Sequence, residues 1–182
     1  TQNTLVKKNK NFNLYFLIYL CFLGFTAVIY LYEKHTVGND STISAWLINY
    51  QGGFVRRGFI GEICFQIAKL FNSDLRFVIF LFQSFFYLTF LFLTFNFFKN
   101  IRNTPITIFA IYTPIFLLYP VAEVEVLARK EVFLYIYFLC FLSLCTHKSI
   151  YEKYINYYVL FVTPLFCMIN EMVIFFFPFI DK

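Results

Sequence analysis

The chain has 182 residues, of which 60% are hydrophobic, 24% aromatic and only 14% charged, with a net charge of +5. Soluble domains average about 25% charged residues, so there is too little polar surface here to coat a soluble fold of this length. With a mean hydropathy of +0.69, and with 29 Phe and 14 Tyr gathered in long runs, the composition points to an all-α, polytopic membrane helical bundle.

Lys7, Lys8 and Lys10 precede the first apolar run, over 12–32. No small-x-small cleavage site follows it, so it reads as a retained helix rather than a signal peptide. An outer loop over 33–74 comes next, and the following runs cover 75–98, 105–120, 131–146, 154–169 and 172–180. Runs three to five fall short of the roughly 20 residues a straight span needs. Pro114 and Pro164 lie inside runs three and five and should kink them. The chain starts at Thr1 rather than Met, and its last apolar run stops abruptly. It reads as one transmembrane domain, the N-terminal portion of a longer protein.

Lys and Arg near short loops set orientation. With the N-terminus cytoplasmic, that face carries Lys7, Lys8, Lys10, Lys99, Arg102, Lys148, Lys153 and Lys182. Eight of the ten acidic residues then fall on the other face, where chemistry is to be sought. Five cysteines without a Cys-x-x-Cys pair, and His35 and His147 far apart, assemble no metal site. No Walker loop, Ser-His-Asp order or nucleic-acid motif is found, and the basic balance serves membrane orientation.

Residues 46–61 read WLINYQGGFVRRGFIG and hold Gly52, Gly53, Gly58 and Gly61, four of the chain's six glycines. Glycine lets a ligand approach the main chain. Arg56 and Arg57 lie between the glycine pairs, and guanidinium forks suit phosphate. A helix start at Gly58 would aim free N–H groups at the same spot. Together these form an anion cradle, or else a tight turn whose arginines meet lipid headgroups and nearby acids. Over 58–71, Glu62, Gln66 and Lys69 form one polar stripe on an amphipathic interfacial helix. Glu62 is either a partner of Arg57 or a carboxylate at the reacting centre; Asp40 is the other candidate base.

A second cluster, EVEVLARKE over 123–131, holds Arg129 and Lys130. Its spacing suits a helix (Glu125 to Arg129) and its alternation suits a strand. It offers either solvated helix-end charges or a second cationic contact, with acids that could serve a divalent metal ion; no other cofactor is suggested. Asn170-Glu171 interrupts the apolar stretch 154–180, as an outer turn or as an intramembrane carboxylate.

The run NYQGGFVRRGFIGEI, followed by ARKE and then NE, resembles a group of bacterial multi-pass membrane proteins of surface polysaccharide assembly. Their layout is similar to the GT-C class of glycosyltransferases. The matching residues are Gly52, Gly53, Arg56, Arg57, Gly58, Arg129, Lys130 and Glu171. The resemblance implies an inner-membrane enzyme that takes sugars from polyprenyl phosphate on the non-cytoplasmic face. Those residues would bind substrate, and Glu62 or Asp40 would act as base. The GT-C layout has more spans, and its early catalytic acid has no certain counterpart here. The alternatives are a transporter or flippase subunit for an anionic lipid or solute, and a noncatalytic subunit beside a membrane-protein partner.

Overall fold

The computed structural model of the chain describes residues 10–37, 41–53, 55, 57–99, 105–113, 117–123, 126–146 and 148–174. Among them there is no strand. Nine α-helices are described: α1 (Lys10–Val37), α2 (Ser41–Leu47), α3 (Phe59–Leu70), α4 (Leu75–Phe98), α5 (Pro105–Tyr112), α6 (Tyr119–Ala122), α7 (Glu131–Cys145), α8 (Lys148–Tyr157) and α9 (Thr163–Ile169).

Two helices are long and apolar enough to cross a membrane, Phe12–Val37 and Leu75–Phe98. At 1.5 Å per residue the 24 residues of α4 reach about 36 Å. Asp74 starts α4 by accepting from the Arg76 amide at 3.3 Å. The helices α1 and α4 run antiparallel: Phe16 meets Phe95 and Phe98, while Tyr32 at the other end meets Phe80. Gly24 permits the close approach, since a Cβ there would lie 3.1 Å from Leu88.

Helix α7 continues the stack parallel to α4, with Phe86 against Phe133 and Phe90 against Tyr135. Its 15 residues reach only about 22 Å. The chain then returns antiparallel to it, so that Tyr137 meets Tyr158 and Phe133 meets Phe166. Pro164 has its effect here. It lacks an N–H and crowds the carbonyl four residues earlier, and the helix widens into a π turn over Tyr158–Val162. Within the run expected over 105–120, α5 covers Pro105–Tyr112 and α6 begins at Tyr119. Pro114 lies outside the described residues.

Inside the expected outer loop, α3 takes up most of the amphipathic segment. It buries Ile60, Gly61, Cys64 and Ala68 and exposes Gln66 and Lys69. Asn72 ends it in the left-handed region (φ 50°), with Asn72 N–H to Lys69 O and Ser73 N–H to Ala68 O. Asparagine tolerates the angle that glycine usually supplies at such a terminus. The alternation of α1, α4, α7 and α9 brings one end of each to the same pole. Residues 41–74, 126–131 and 170–171 therefore assemble together.

Gln83 ties this pole to the helix stack. Fully buried in α4, it accepts from His35 Nε2 of α1 at 3.0 Å and donates to the Ala128 carbonyl at 3.4 Å. Gln83→Leu removes both bonds while preserving bulk. We expect it to lower stability by about 1 kcal/mol, read as a lower thermal midpoint of the purified protein in micelles.

Candidate anion-binding site

The loop from Ile48 to Gly58 is shaped by its contacts to α3. The Gly53 amide donates to the Tyr50 carbonyl at 3.0 Å, and Gly53 has φ 117°, an angle open to glycine. Glu62 reaches back from α3 and accepts from the Tyr50 amide and Gln51 Nε2, both at 3.1 Å, and from Gln66 Nε2 at 2.6 Å. These bonds, the Gln66 one first, hold its carboxyl below the usual carboxylate range. Glu62 thus clamps the loop to the helix, and among the described residues it makes no ion pair with Arg57. Gly61 is required by packing: a Cβ there would lie 2.7 Å from the Trp46 carbonyl oxygen and closer still to that of Ile48.

Arg57 follows this clamp in the left-handed region, at φ 62°. For a residue with a Cβ that angle costs about 1 kcal/mol or more. Its carbonyl accepts from Lys130 Nζ. Its guanidinium donates to Glu171 Oε1 at 2.9 Å. Glu171 gets there because α9 stops at Ile169 and Asn170 turns extended (φ −147°, ψ 115°). The buried Asn170 side chain accepts from the Met172 amide at 3.1 Å and starts a short 3-10 turn. Glu171 therefore sits in a turn at this pole, not mid-way along a continuous helix.

The burial of Lys130 is the least expected feature of the site. The residue stands just before α7, makes no side-chain cap bond there, and is only 4% exposed. Burial pulls its ammonium down to about 8; the nearby Cys64 thiol and Glu131 oppose that shift, and Arg57 adds to it. Cys64 is itself pushed up to about 11 by burial. The acceptor that the structure gives Lys130 is the Arg57 main-chain carbonyl, which neutralises no charge. A buried cation held by a neutral acceptor is the arrangement that most rewards an incoming anion.

The turn before it is held equally firmly. Ala128 is left-handed (φ 51°), and its carbonyl accepts from Trp46 Nε1 at 3.1 Å as well as from Gln83. Trp46 is the only tryptophan of the chain and is fully buried. Arg129 lies beyond this turn and lines a cavity of about 450 Å³ between α4, α6 and α7. The cavity wall is otherwise mostly apolar, with Phe90, Tyr135, Phe138 and Leu142 along it.

Of the residues singled out in the sequence, Arg57, Lys130 and Glu171 are joined in one network, with Gly58 at its foot beneath the Tyr50 ring. Arg129 faces the adjoining cavity. Gly52 and Gly53 are exposed, with nothing where a side chain would be added. Arg56 and Asp40, like Glu125, lie outside the described residues. The segment 126–128 is a turn rather than the helix or strand its spacing offered. Sequence reasoning passed over Gln83, although an amide in an apolar run is a signal in itself, and it read Trp46 with Tyr50 as an aromatic belt, whereas Trp46 is fully buried and bonded to the Ala128 carbonyl. Among the described residues no cluster of His, Cys, Asp and Glu suited to a metal ion occurs.

No protein-family model, curated protein or solved structure matches this chain. The site's own side chains offer an ammonium on the Arg57 carbonyl and a carboxylate on the Arg57 guanidinium, while Arg129 and Glu131, on either side of Lys130 in the chain, line the mostly apolar cavity.

One consequence is pH dependence. With Lys130 at about 8, it is mostly charged at neutral pH and mostly neutral one unit above 8. We expect affinity for inorganic pyrophosphate to fall about tenfold between pH 7 and pH 9, measured by titration at constant ionic strength. The sign for folding is opposite. A lysine depressed from 10.5 makes the fold gain stability as pH rises above about 8.

Proposed function

We propose that the protein is a polytopic inner-membrane protein that handles sugars linked to polyprenyl phosphate, as a glycosyltransferase-like or polysaccharide-polymerising enzyme at the non-cytoplasmic face. The observation that carries this reading is the buried Lys130 on the Arg57 carbonyl, followed by the fact that Arg129, its neighbour in the chain, lines a mostly apolar cavity. An amphiphile with a phosphate head and a hydrocarbon chain suits both parts. In transfer, the leaving phosphate gains charge as the glycosidic bond breaks, and cations fixed in advance stabilise that charge more than the ground state. Lys130 and Arg57 would fill that role.

The base that takes the acceptor proton is narrower than the sequence suggested. Glu62 spends its carboxylate on three donors, which lowers its basicity and favours a positioning role. Asp40 keeps the other candidacy. The lysine-rich N-terminal end is the cytoplasmic one in this reading, which sets the Arg57 pole outside. With Glu171 in a turn just past the end of α9, the transporter alternative would rest on its short helices and on Pro114 and Pro164.

The experiment is sugar transfer from a polyprenyl-phosphate donor by the full-length protein in sealed membrane vesicles of known sidedness. Transfer is expected only with donor and acceptor on the Arg57 side. Activity that follows the cytoplasmic face, or that is unchanged in an Arg57→Ala/Lys130→Met double variant, would refute the assignment.

A further inference from the structure

Glu171 occupies the guanidinium that the anion-site reading needs. The pair Arg57 Nη2 to Glu171 Oε1 joins residues 114 positions apart at 2.9 Å. It is half-exposed, with side chains 39% and 32% accessible, so solvent and solutes reach it. On the inner side, Lys130 binds the carbonyl of the same Arg57. The carboxylate is therefore the exposed group of the network and the ammonium the buried one. Asn170, buried and bonded to the Met172 amide, fixes where that carboxylate is presented.

We infer that Glu171 is a specificity residue: a resident carboxylate on Arg57 that excludes monoanions and admits only ligands carrying a phosphate or diphosphate group. The inference rests on the anion-site reading. A tethered group competes at an effective concentration in the millimolar range or above. A free carboxylate offers the same two oxygens and one charge, so it gains nothing by exchange. A diphosphate brings more charge and more acceptor oxygens, and reaches both the guanidinium and the ammonium. It can offset the loss of the internal pair.

The test uses full-length protein in nanodiscs and the fluorescence of Trp46, which is hydrogen-bonded two residues from Lys130. The probes are inorganic pyrophosphate and acetate. In the wild type, pyrophosphate should bind and acetate should not. In Glu171→Gln, pyrophosphate should bind about tenfold more tightly and acetate binding should become measurable. Glu171→Asp, which withdraws the carboxylate by one methylene, should fall between them and serves if the glutamine variant is unstable. Arg57→Gln/Glu171→Gln should lose the gain. Pyrophosphate bound by wild type and Glu171→Gln with equal affinity, and acetate by neither, would overturn the inference and leave the anion site standing. Pyrophosphate bound by no form of the protein would remove the anion site as well.

Discussion

Replacing Gly61 with alanine should destroy the site and with it most of the folded protein. The added methyl would lie 2.7 Å from the Trp46 carbonyl oxygen and nearer still to the Ile48 carbonyl, and both are backbone atoms with no rotamer to yield. Either α3 moves away from the end of α2 or the loop beyond α2 is pushed out. Moving α3 drags Cys64 and Ala68, both buried in the core, away from their neighbours. Moving the loop breaks the Glu62 bonds to Tyr50 and Gln51 that hold residues 50–53 to α3. Overpacking of a side chain costs about 1–3 kcal/mol; against rigid backbone the cost should exceed about 3 kcal/mol. The measurement is thermal unfolding in micelles, with size exclusion as a check on yield. Gly52→Ala is the control. Its added methyl meets nothing within 4 Å, so a change within about 0.5 kcal/mol is expected. A Gly61→Ala protein with the wild-type midpoint would show that α2 and α3 do not pack this closely.

Lys130→Met should separate function from stability. The thioether keeps most of the bulk and removes a cation that is 4% exposed and held by a carbonyl. Exchanging a buried charge for an apolar side chain is often neutral or stabilising, so the melting temperature should stay level or rise. Sugar transfer should fall by about 100-fold or more, the usual cost of deleting one fixed group that stabilises developing charge. Lys130→Arg should not rescue it, since the larger guanidinium has to fit beside Cys64 and α3. A drop in stability with activity intact would make Lys130 a structural strut.

Much of this organisation was legible in the sequence because it depends on local chemistry. Asp74 before an apolar run announces the start of α4, and the polar stripe Glu62, Gln66 and Lys69 announces α3. The effect of Pro164 was also foreseeable, as its missing N–H has a local consequence in the π turn before it. Partner choice was not legible. Glu62 sits within two turns of Arg57 in sequence, yet it bonds Tyr50, Gln51 and Gln66. Arg57 goes to Glu171, 114 residues away. Which acid reaches which base depends on how α9 ends against α3, a tertiary fact with no periodic trace. The burial of Lys130 was hidden for the same reason: in EVEVLARKE it looks like a solvated helix-end charge, and only the tertiary fold, which brings Cys64 and the Arg57 carbonyl beside it, encloses it. The short α2 was missed because its apolar positions, Ile43 and Trp46, are too few to set a period.

The claim on which the rest depends is that a lipid phosphate binds at Lys130 with its chain in the cavity along α7. Photolabelling of the full-length protein in membranes, using a polyprenyl phosphate with a photoreactive group on its chain, tests it directly. The account predicts adducts on α4 or α7, at residues such as Phe90, Phe138 or Leu142. Labelling should fall at least tenfold in Lys130→Met and be competed by unlabelled polyprenyl phosphate but not by the corresponding alcohol. Adducts confined to the opposite pole, or labelling that persists in Lys130→Met and yields equally to the alcohol, would contradict it.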